Sequence, residues 1–184
     1  MRSSSIDRRA QRTRRDLMSA FIELMLTRGY AAATTAEICR RANIGRSTFY
    51  LHYAGKQQML AESLKHPSAG LAACVGSDLT AQQLLPLLEH FRGQRAVNHV
   101  FFESPVRQLW VASLAALIEP RLPRLRAAAS QVRIPRALAA LVVAEMQIAL
   151  VTHWLTGSAS LKAEVVADQM IRGTRALLAG ITAT

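Results

Sequence analysis

Four neighbouring polar residues, Arg46, Ser47, Thr48 and Tyr50, carry side chains that can hydrogen-bond to another molecule. A guanidinium such as that of Arg46 can bond to the O6 and N7 atoms of guanine together, and hydroxyl groups can bond to bases or to phosphates. No serine lies in a nucleophile elbow, and the five histidines form no i, i+4 metal pair with carboxylates. The residues therefore favour recognition of DNA over catalysis.

These side chains belong to the second of two short helices predicted between Thr34 and Lys56, inside the most basic region of the chain. Thr34 can cap the first helix, which runs from Thr35 to Ala42, and Glu37 lies three positions on, as in a capping box. The pattern predicts a helix-turn-helix.

The connection between the two helices has residues suited to a tight turn. Asn43 is one of the few non-glycine residues that tolerate the left-handed conformation, and Gly45 is a permissive N-cap for the helix Arg46 to Leu51. We predict that the polar set faces outward. The residues predicted to face inward are Ile38, Ala42, Ile44, Phe49 and Tyr53.

The segment resembles the DNA-binding domain of the TetR (tetracycline repressor) family of bacterial transcriptional regulators. The resemblance covers roughly residues 12 to 64 and rests on Gly29-Tyr30, Thr34-Thr35, Ala42-Asn43-Ile44-Gly45, Ser47-Thr48-Phe49-Tyr50, and His52-Tyr53 with Lys56. Two positions depart from the family pattern: Asn43 replaces the turn glycine, and Gly45 replaces the usual serine cap. Neither change threatens the fold, because both residues suit their positions.

Position within the two helices assigns a role to each candidate DNA-binding residue. The start of the second helix normally approaches base edges, and Arg46 is the strongest candidate for base recognition. Helix N-termini favour anions, so residues at these ends are expected near phosphates. The predicted set is Thr34, Thr35, Arg46, Ser47, Thr48, Tyr50, His52 and Lys56. Of these, Tyr50 and His52 are expected to contact phosphate, as are Lys56 and either Thr34 or Thr35 at the helix N-termini.

Charge is concentrated at the start of the chain. Up to Lys56 there are eleven basic and four acidic residues, a net charge of +7, whereas the remaining residues hold twelve basic and eight acidic, a net charge of +4. A basic surface neutralises phosphates and releases counterions. For Arg2 to Arg9 alone, a solvated basic tail is an equally good interpretation.

Helical patterns extend almost from end to end, so we predict an all-α fold of about nine helices. The first helix is expected from about Asp7 to Arg28, and a fourth is expected to end before Pro67, with Ser68 to Asp78 as a connector or a frayed continuation. We predict a helix-turn-helix domain at residues 1–54 and a helical effector-binding and dimerisation domain at 55–184.

The eighth predicted helix, from Pro135 to Thr156, is apolar on nearly every face and must be covered all round. A second subunit could cover one side, as in the dimers of the resembling family, although burial at the centre of a monomer remains the alternative. The predicted dimer residues are Val142, Val151, Leu155, Val166, Met170, Gly173 and Leu177.

The C-terminal region also offers aromatic and apolar residues that could line an effector pocket or simply form the core. They are Phe91, Phe101, Phe102, Trp110, Met146 and Trp154. Two isolated cysteines, Cys39 and Cys74, indicate buried thiols rather than a disulfide or a zinc site. We expect no cofactor, no metal and no enzymatic activity.

The sequence shows no secretory signal, and its longest apolar run falls short of a bilayer span, so we expect a cytoplasmic protein that does not associate with membranes. We predict a homodimeric repressor that binds double-stranded DNA at a palindromic operator and is released by an unknown small-molecule effector. The alternative is a dimeric DNA-binding protein without such a switch, acting through a protein partner or as an architectural factor.

Overall fold

The computed structural model describes residues 3–76, 78–93, 105–122, 134–157 and 161–182. Within these ranges the secondary structure consists of nine α-helices and short 3-10 turns, which confirms the predicted all-α class. The chain divides into two compact units, Met1–Ser63 and Leu64–Thr184, called here the head and the body.

The head contains the first four helices. Their bounds are α1, Ser3–Ala32; α2, Thr35–Ala42; α3, Arg46–His52; and α4, Lys56–Ser63. Gly29 interrupts the helical geometry of α1 with φ 82 and ψ 161, a left-handed value of φ that favours glycine. Apolar residues of all four helices form the core, among them Leu17, Phe21, Met25, Ile38, Phe49, Met59 and Leu60.

The body contains five helices and a 3-10 turn. Their bounds are α5, Lys65–Ala72; the turn, Ala73–Val75; α6, Ala81–Gly93; α7, Val106–Ile118; α8, Arg136–Thr156; and α9, Ala163–Thr182. Helix α8 packs against both α7 and α9, while α9 also packs against α6. Helices α8 and α9 therefore connect the other helices of the body.

Two sequence predictions differ from the observed arrangement. The expected helix end before Pro67 is wrong, because α5 runs through that proline, so the segment continues as a helix and is not a connector. Pro67 is the third residue of α5, where a backbone N–H has no partner within the helix. The predicted domain boundary after residue 54 precedes α4, whereas the compact units divide after Ser63 because α4 packs against α1.

Helix α8 is 21 residues long, and by length and composition it could cross a membrane. Half of the most apolar window is buried inside the body. The core helix of a compact unit can meet the same criteria, and the packing of α8 on α7 and α9 accounts for its apolar composition here.

Candidate nucleic-acid interface and effector region

The turn between α2 and α3 has the predicted backbone geometry. Asn43 is left-handed, with φ 54 and ψ 44, and the N–H of Ile44 donates to the carbonyl oxygen of Cys39 at 3.0 Å. Gly45 is the N-cap of α3 with extended backbone, φ −65 and ψ 148, and supplies no side-chain bond. These caps end α2 and restart the chain in a new direction within three residues.

The predicted capping box at α2 is only half formed. The hydroxyl oxygen of Thr34 accepts a hydrogen bond from the N–H of Glu37 at 3.3 Å, as expected of an N-cap. The N–H of Thr34, however, donates to the carbonyl oxygen of Ala32 at 2.8 Å, so it does not need the Glu37 carboxylate. That carboxylate instead pairs with Arg28 and Arg40, and the hydrogen bond from Arg40 is the main cause of the lowered pKa of Glu37.

Helix α3 is anchored in the core of the head by the Phe49 side chain, and its polar side chains face outward. Phe49 is fully buried, with its ring centroid 6.0 Å from that of Tyr53 and 5.3 Å from that of Tyr50. Arg46 and Ser47 are exposed, Thr48 is half-buried, and Tyr50 is 60% exposed. The structure therefore confirms the predicted outward face, except that Thr48 is partly covered.

Arg46 differs from the arginines around it in having no ion pair with any described residue. Within the head, Arg28 and Arg40 pair with Glu37, Arg41 pairs with Glu23, and Arg14 pairs with Glu62. Arg46 lies close enough to Cys39 to oppose the rise that burial causes in the pKa of that thiol. The Arg46 guanidinium is thus exposed and free to bind an anion or a base edge.

Leu51 is an outward-facing residue that the sequence reasoning missed. It lies one helical turn from Ser47 on α3, and its side chain is 82% exposed, the largest value among the exposed large apolar residues. An apolar side chain on a face otherwise rich in hydrogen-bonding groups can contact the methyl group of thymine. The sequence signal was a leucine at i+4 from a residue predicted to face outward.

The side chain of Lys56 caps the end of α1. Its ammonium donates to the carbonyl oxygens of Tyr30 and Ala31, at 2.8 Å and 3.2 Å, and lies 4.4 Å from the centroid of the Tyr30 ring. Burial lowers the pKa of Lys56. Lys56 is the first residue of α4, as predicted, but two of its donors already have partners.

The remaining predicted DNA-binding residues occupy the ends of α2 and α3. Thr34 is exposed and Thr35, the first residue of α2, is half-buried; His52 is the last residue of α3 and is also half-buried. Contact of any of these residues with phosphate stays a prediction.

In the body, two of the pocket candidates pack against each other. The rings of Phe91 and Trp110 meet edge to face with centroids 5.8 Å apart, and the Trp110 indole donates to the hydroxyl of Ser68 at 3.2 Å. Both rings are buried. They therefore contribute to the core that joins α5, α6 and α7.

The other pocket candidates have different surroundings. A Cβ placed on Gly173 of α9 would lie 3.7 Å from the sulfur of Met146, and the Trp154 indole donates to the carbonyl oxygen of Leu161 at 3.0 Å. Met146 and Trp154 thus hold α8 against α9 and the segment before it. Phe101 and Phe102 lie outside the described residues.

A buried polar pair joins α8 to α9, and the sequence reasoning missed it. The Gln147 side-chain amide donates to the hydroxyl of Thr174 at 3.1 Å, and both residues are fully buried. The Gln147 carbonyl oxygen has no hydrogen-bond partner among the described residues. A buried acceptor without a partner costs about 1–3 kcal/mol, so a molecule that donates to Gln147 would be stabilised there.

The predicted dimer residues need correction, because several belong to the core of a single chain. Four of them are already covered within the body and cannot form a surface for a second subunit: Val151, Leu155, Val166 and Met170. Gly173 packs on Met146 of its own chain, and Leu177 is half-buried. Val142, at 36% exposure, is the predicted residue that reaches the surface.

Helix α8 nevertheless presents an apolar surface that could meet a partner. Leu138 and Leu141 are exposed beside Val142, at i, i+3 and i+4 along the helix, and therefore share one face. These three residues, called here the α8 face, lie opposite the buried side of the helix that contains Val143, Gln147 and Val151.

Neither metal-binding nor thiol chemistry is evident in the described ranges. No cluster of three or more histidine, cysteine, aspartate or glutamate residues occurs there that could hold a metal ion. Cys39 and Cys74 are free and buried, as predicted, and desolvation raises the pKa of Cys74 to about 12. A thiol with this pKa is protonated and unreactive at neutral pH.

The short helices α2 and α3, their left-handed turn and the exposed polar face define a helix-turn-helix protein of the DNA-binding class. Residues 17–63 match the sequence profile of the family described as bacterial regulatory proteins, tetR family. This segment of the chain is therefore similar to the DNA-binding part of TetR-family transcriptional regulators.

Individual relatives agree with this assignment. The chain is 39% identical over 69 residues to the uncharacterized HTH-type transcriptional regulator YxbF of Bacillus subtilis (strain 168), a match that covers 37% of this chain and 18% of the relative. It is similar in structure to a TetR transcriptional regulator from Streptococcus agalactiae 2603V, with a TM-score of 0.65, 25% identity, and coverage of 94% of this chain and 98% of the other.

A second similar structure is that of Thermus thermophilus FadR, a TetR-family transcriptional repressor in complex with lauroyl-CoA. Its TM-score is 0.54 at 22% identity, with coverage of 93% of this chain and 96% of that one. At this identity the likeness shows a shared fold.

Proposed function

We propose that this protein is a dimeric repressor of transcription that binds an inverted-repeat operator through α3 and is released by a small molecule bound in the body. The single observation that carries the DNA-binding part is the exposed Arg46 at the start of α3, which has no ion pair with a described residue. An arginine at this end of a recognition helix can reach the major groove and bond to guanine in a bidentate manner.

The neighbouring residues supply the other contacts that such a helix needs. Ser47, Thr48 and Tyr50 provide hydroxyl groups, and Leu51 provides an apolar contact for a thymine methyl. Two heads related by a two-fold axis would select half-sites about one helical turn apart, or a multiple of it, on one side of the duplex.

Selection from a random duplex library, followed by sequencing, tests this assignment for the unmodified protein and for Arg46→Ala. We expect an inverted repeat for the unmodified protein. The variant should lose about 1–3 kcal/mol on that site and relax the choice at one symmetric base position, with little change on random DNA.

Arg92→Gln is the matched control, since it removes an exposed arginine from the body and should leave the selected motif unchanged. Recovery of no symmetric motif, or of the same motif with Arg46→Ala, would contradict the assignment of α3 as the recognition helix.

The α8 face supports the proposed dimer. Leu138, Leu141 and Val142 form an exposed apolar surface on α8, whose other side packs against α7 and α9. Covering this surface with the same surface of a second copy would remove apolar area from water through a two-fold symmetric contact.

The release step is supported by the buried Gln147 and by the ligand-bound relative. The T. thermophilus repressor is described in complex with lauroyl-CoA, and in this chain the Gln147 carbonyl oxygen offers an unused acceptor inside the body. A ligand shifts a conformational equilibrium only through a difference in its affinity for the two states.

A thermal-shift screen of acyl-CoA thioesters and small hydroxylated aromatics tests the presence of an effector. A compound that raises Tm should also release operator DNA, and Gln147→Leu should weaken its binding. Gln169→Leu, an exposed glutamine of α9, is the control. A compound that raises Tm equally in the unmodified protein, Gln147→Leu and Gln169→Leu would contradict a role for Gln147. If no stabilising compound releases operator DNA, the proposed switch is wrong.

A further inference from the structure

Helix α3 carries the exposed large apolar and aromatic side chains of the head. Among the head side chains that the structure describes, those of residues 7–63, these are Tyr50 and Leu51, and Leu51 is the more exposed of the two. A single exposed leucine is common on protein surfaces and by itself indicates no partner. The position of Leu51 on the helix and its neighbours give it a meaning here.

The Leu51 side chain lies on the side of α3 that is farthest from the core. Phe49 is fully buried and fixes the orientation of the helix. At about 100° per residue, Ser47 and Leu51, two positions before and after Phe49, both lie roughly 160° around the helix from it. The two side chains therefore share the face that would reach deepest into a groove of DNA bound along α3.

The surroundings of Leu51 favour duplex DNA over an apolar partner. Arg46 on the same short helix is exposed and has no ion pair with a described residue, and the chain up to Lys56 has a net charge of +7. An apolar protein surface that covered Leu51 would also bury these polar neighbours without partners, which is costly. The major groove instead supplies acceptors for the polar groups and one apolar group, the C5-methyl of thymine.

Leucine can recognise a base only through that methyl group. Its side chain has neither a donor nor an acceptor, so it cannot read the hydrogen-bond pattern of a base edge. Thymine has a methyl group at C5 and cytosine does not, but 5-methylcytosine carries a methyl group on the same ring atom. A leucine contact would therefore distinguish pyrimidines by the C5-methyl group rather than by the identity of the base.

We propose that Leu51 makes operator binding sensitive to C5 methylation, so that the protein binds 5-methylcytosine more tightly than cytosine at the base position that Leu51 contacts. The inference deepens the proposed function and rests on it, because it requires α3 to lie in the major groove. Covering one methyl group corresponds to about fourfold in affinity, and a symmetric pair of methyl groups to about fifteenfold.

The first experiment measures the affinity of the full chain for variants of the selected operator, altered at one symmetric pair of pyrimidines at a time on either strand. Each thymine is replaced with uracil, which removes the methyl group and keeps the base pair, and each cytosine is replaced with 5-methylcytosine, which adds the methyl group. For the unmodified protein, the methylated form should bind about fifteenfold more tightly at one pair.

Leu51→Ala should lose most of this difference, whereas Leu109→Ala, which shortens an exposed leucine on α7 of the body, should keep it. Leu51→Ala should also keep the Tm of the unmodified protein, because Leu51 lies outside the core. A methyl effect that persists in Leu51→Ala would assign the contact to another side chain and would overturn the proposal.

The second experiment separates the methyl group from the identity of the base and uses the unmodified protein. At the pair identified above, operators with cytosine and with 5-methylcytosine, each opposite guanine, are compared. The methylated operator should bind about fifteenfold more tightly. Equal affinities on a selected symmetric motif would overturn this inference alone, whereas failure to select any symmetric motif would contradict the proposed function of α3 and the inference with it.

Discussion

The head and the body place their polar side chains in opposite ways. Every fully or nearly fully buried side chain in the described head is apolar or aromatic, and its charged groups lie at the surface, several of them in ion pairs. The described body instead buries three polar side chains, Ser68, Gln147 and Thr174. Surface charge suits a polyanion that arrives from solvent, whereas buried polar groups suit a small molecule that is enclosed.

The head and the body also differ in how far a substitution at a candidate functional residue would disturb the fold. On the head, most candidate contacts are side chains whose removal leaves the core intact, as for Arg46 and Leu51. In the body, the candidate residues also hold helices together, as Trp110 and Gln147 do. Function and stability are therefore easier to separate in the head.

The largest expected effect comes from placing a charge on either side of α8. Val151→Glu puts an unpaired carboxylate in the core and should cost about 3–5 kcal/mol, enough to unfold the body. Val142→Glu puts the same charge on the α8 face and should leave a folded monomer. Circular dichroism, thermal unfolding and sedimentation velocity distinguish these outcomes. A monomeric unmodified protein at micromolar concentration, or a dimeric Val142→Glu variant, would contradict the proposed dimer surface.

An intermediate effect is expected for Lys56, which has two candidate roles: it caps the end of α1 in the structure, and it is predicted to contact DNA phosphate. Its contacts with the end of α1 indicate that Lys56→Met should lower the free energy of unfolding by about 1–2 kcal/mol, since the substitution removes hydrogen bonds from a charged donor at a partly exposed position. Chemical denaturation measures this change.

The salt dependence of DNA binding tests the other candidate role of Lys56, contact with a DNA phosphate. If the ammonium contacts phosphate, the slope falls by about one unit while stability stays unchanged. A lower stability with an unchanged slope would assign Lys56 to the structure of the head alone. Arg12→Gln, an exposed arginine on α1, is a control for the stability measurement.

The smallest expected effect is at Gly45, where the family pattern has a serine. Gly45 has extended backbone, and an added Cβ would meet only the Ser47 and Thr48 hydroxyl oxygens, at 3.9 Å and 4.0 Å. Gly45→Ser should therefore raise the stability of the head by a few tenths of a kcal/mol to about 1 kcal/mol, through a new cap and a more restricted unfolded chain. A lower Tm for Gly45→Ser than for the unmodified protein would contradict this prediction and would indicate that the serine side chain does not fit beside Ser47 and Thr48.

Much of the head could be predicted from the sequence because its signals are local. A left-handed Asn43, an N-cap at Thr34 and a helix broken at Gly29 each depend on residues within a few positions of one another. The outward direction of Arg46 follows from the 3.6-residue period once Phe49 is placed in the core. The prediction missed Leu51 because polarity was used as the sign of exposure.

Contacts between distant segments could not be predicted in this way. The capping of Tyr30 by Lys56 joins residues 26 positions apart, and the pairing of Glu37 with Arg28 displaces half of an expected capping box. In the body, the apolar sequence of α8 indicates that every side of the helix must be covered. It does not indicate which side packs against the same chain and which against a partner. The structure assigns Val151 to the core and Val142 to the surface.

The sequence by itself therefore determined the all-α class, the helix-turn-helix and the excess of positive charge near its start, because periodicity, capping and charge are properties of short segments. The tertiary structure decided which lysine caps a helix, which valine reaches the surface and where an unsatisfied polar group lies. These outcomes depend on how the helices pack, and packing brings together residues whose separation along the chain carries no signal of their contact.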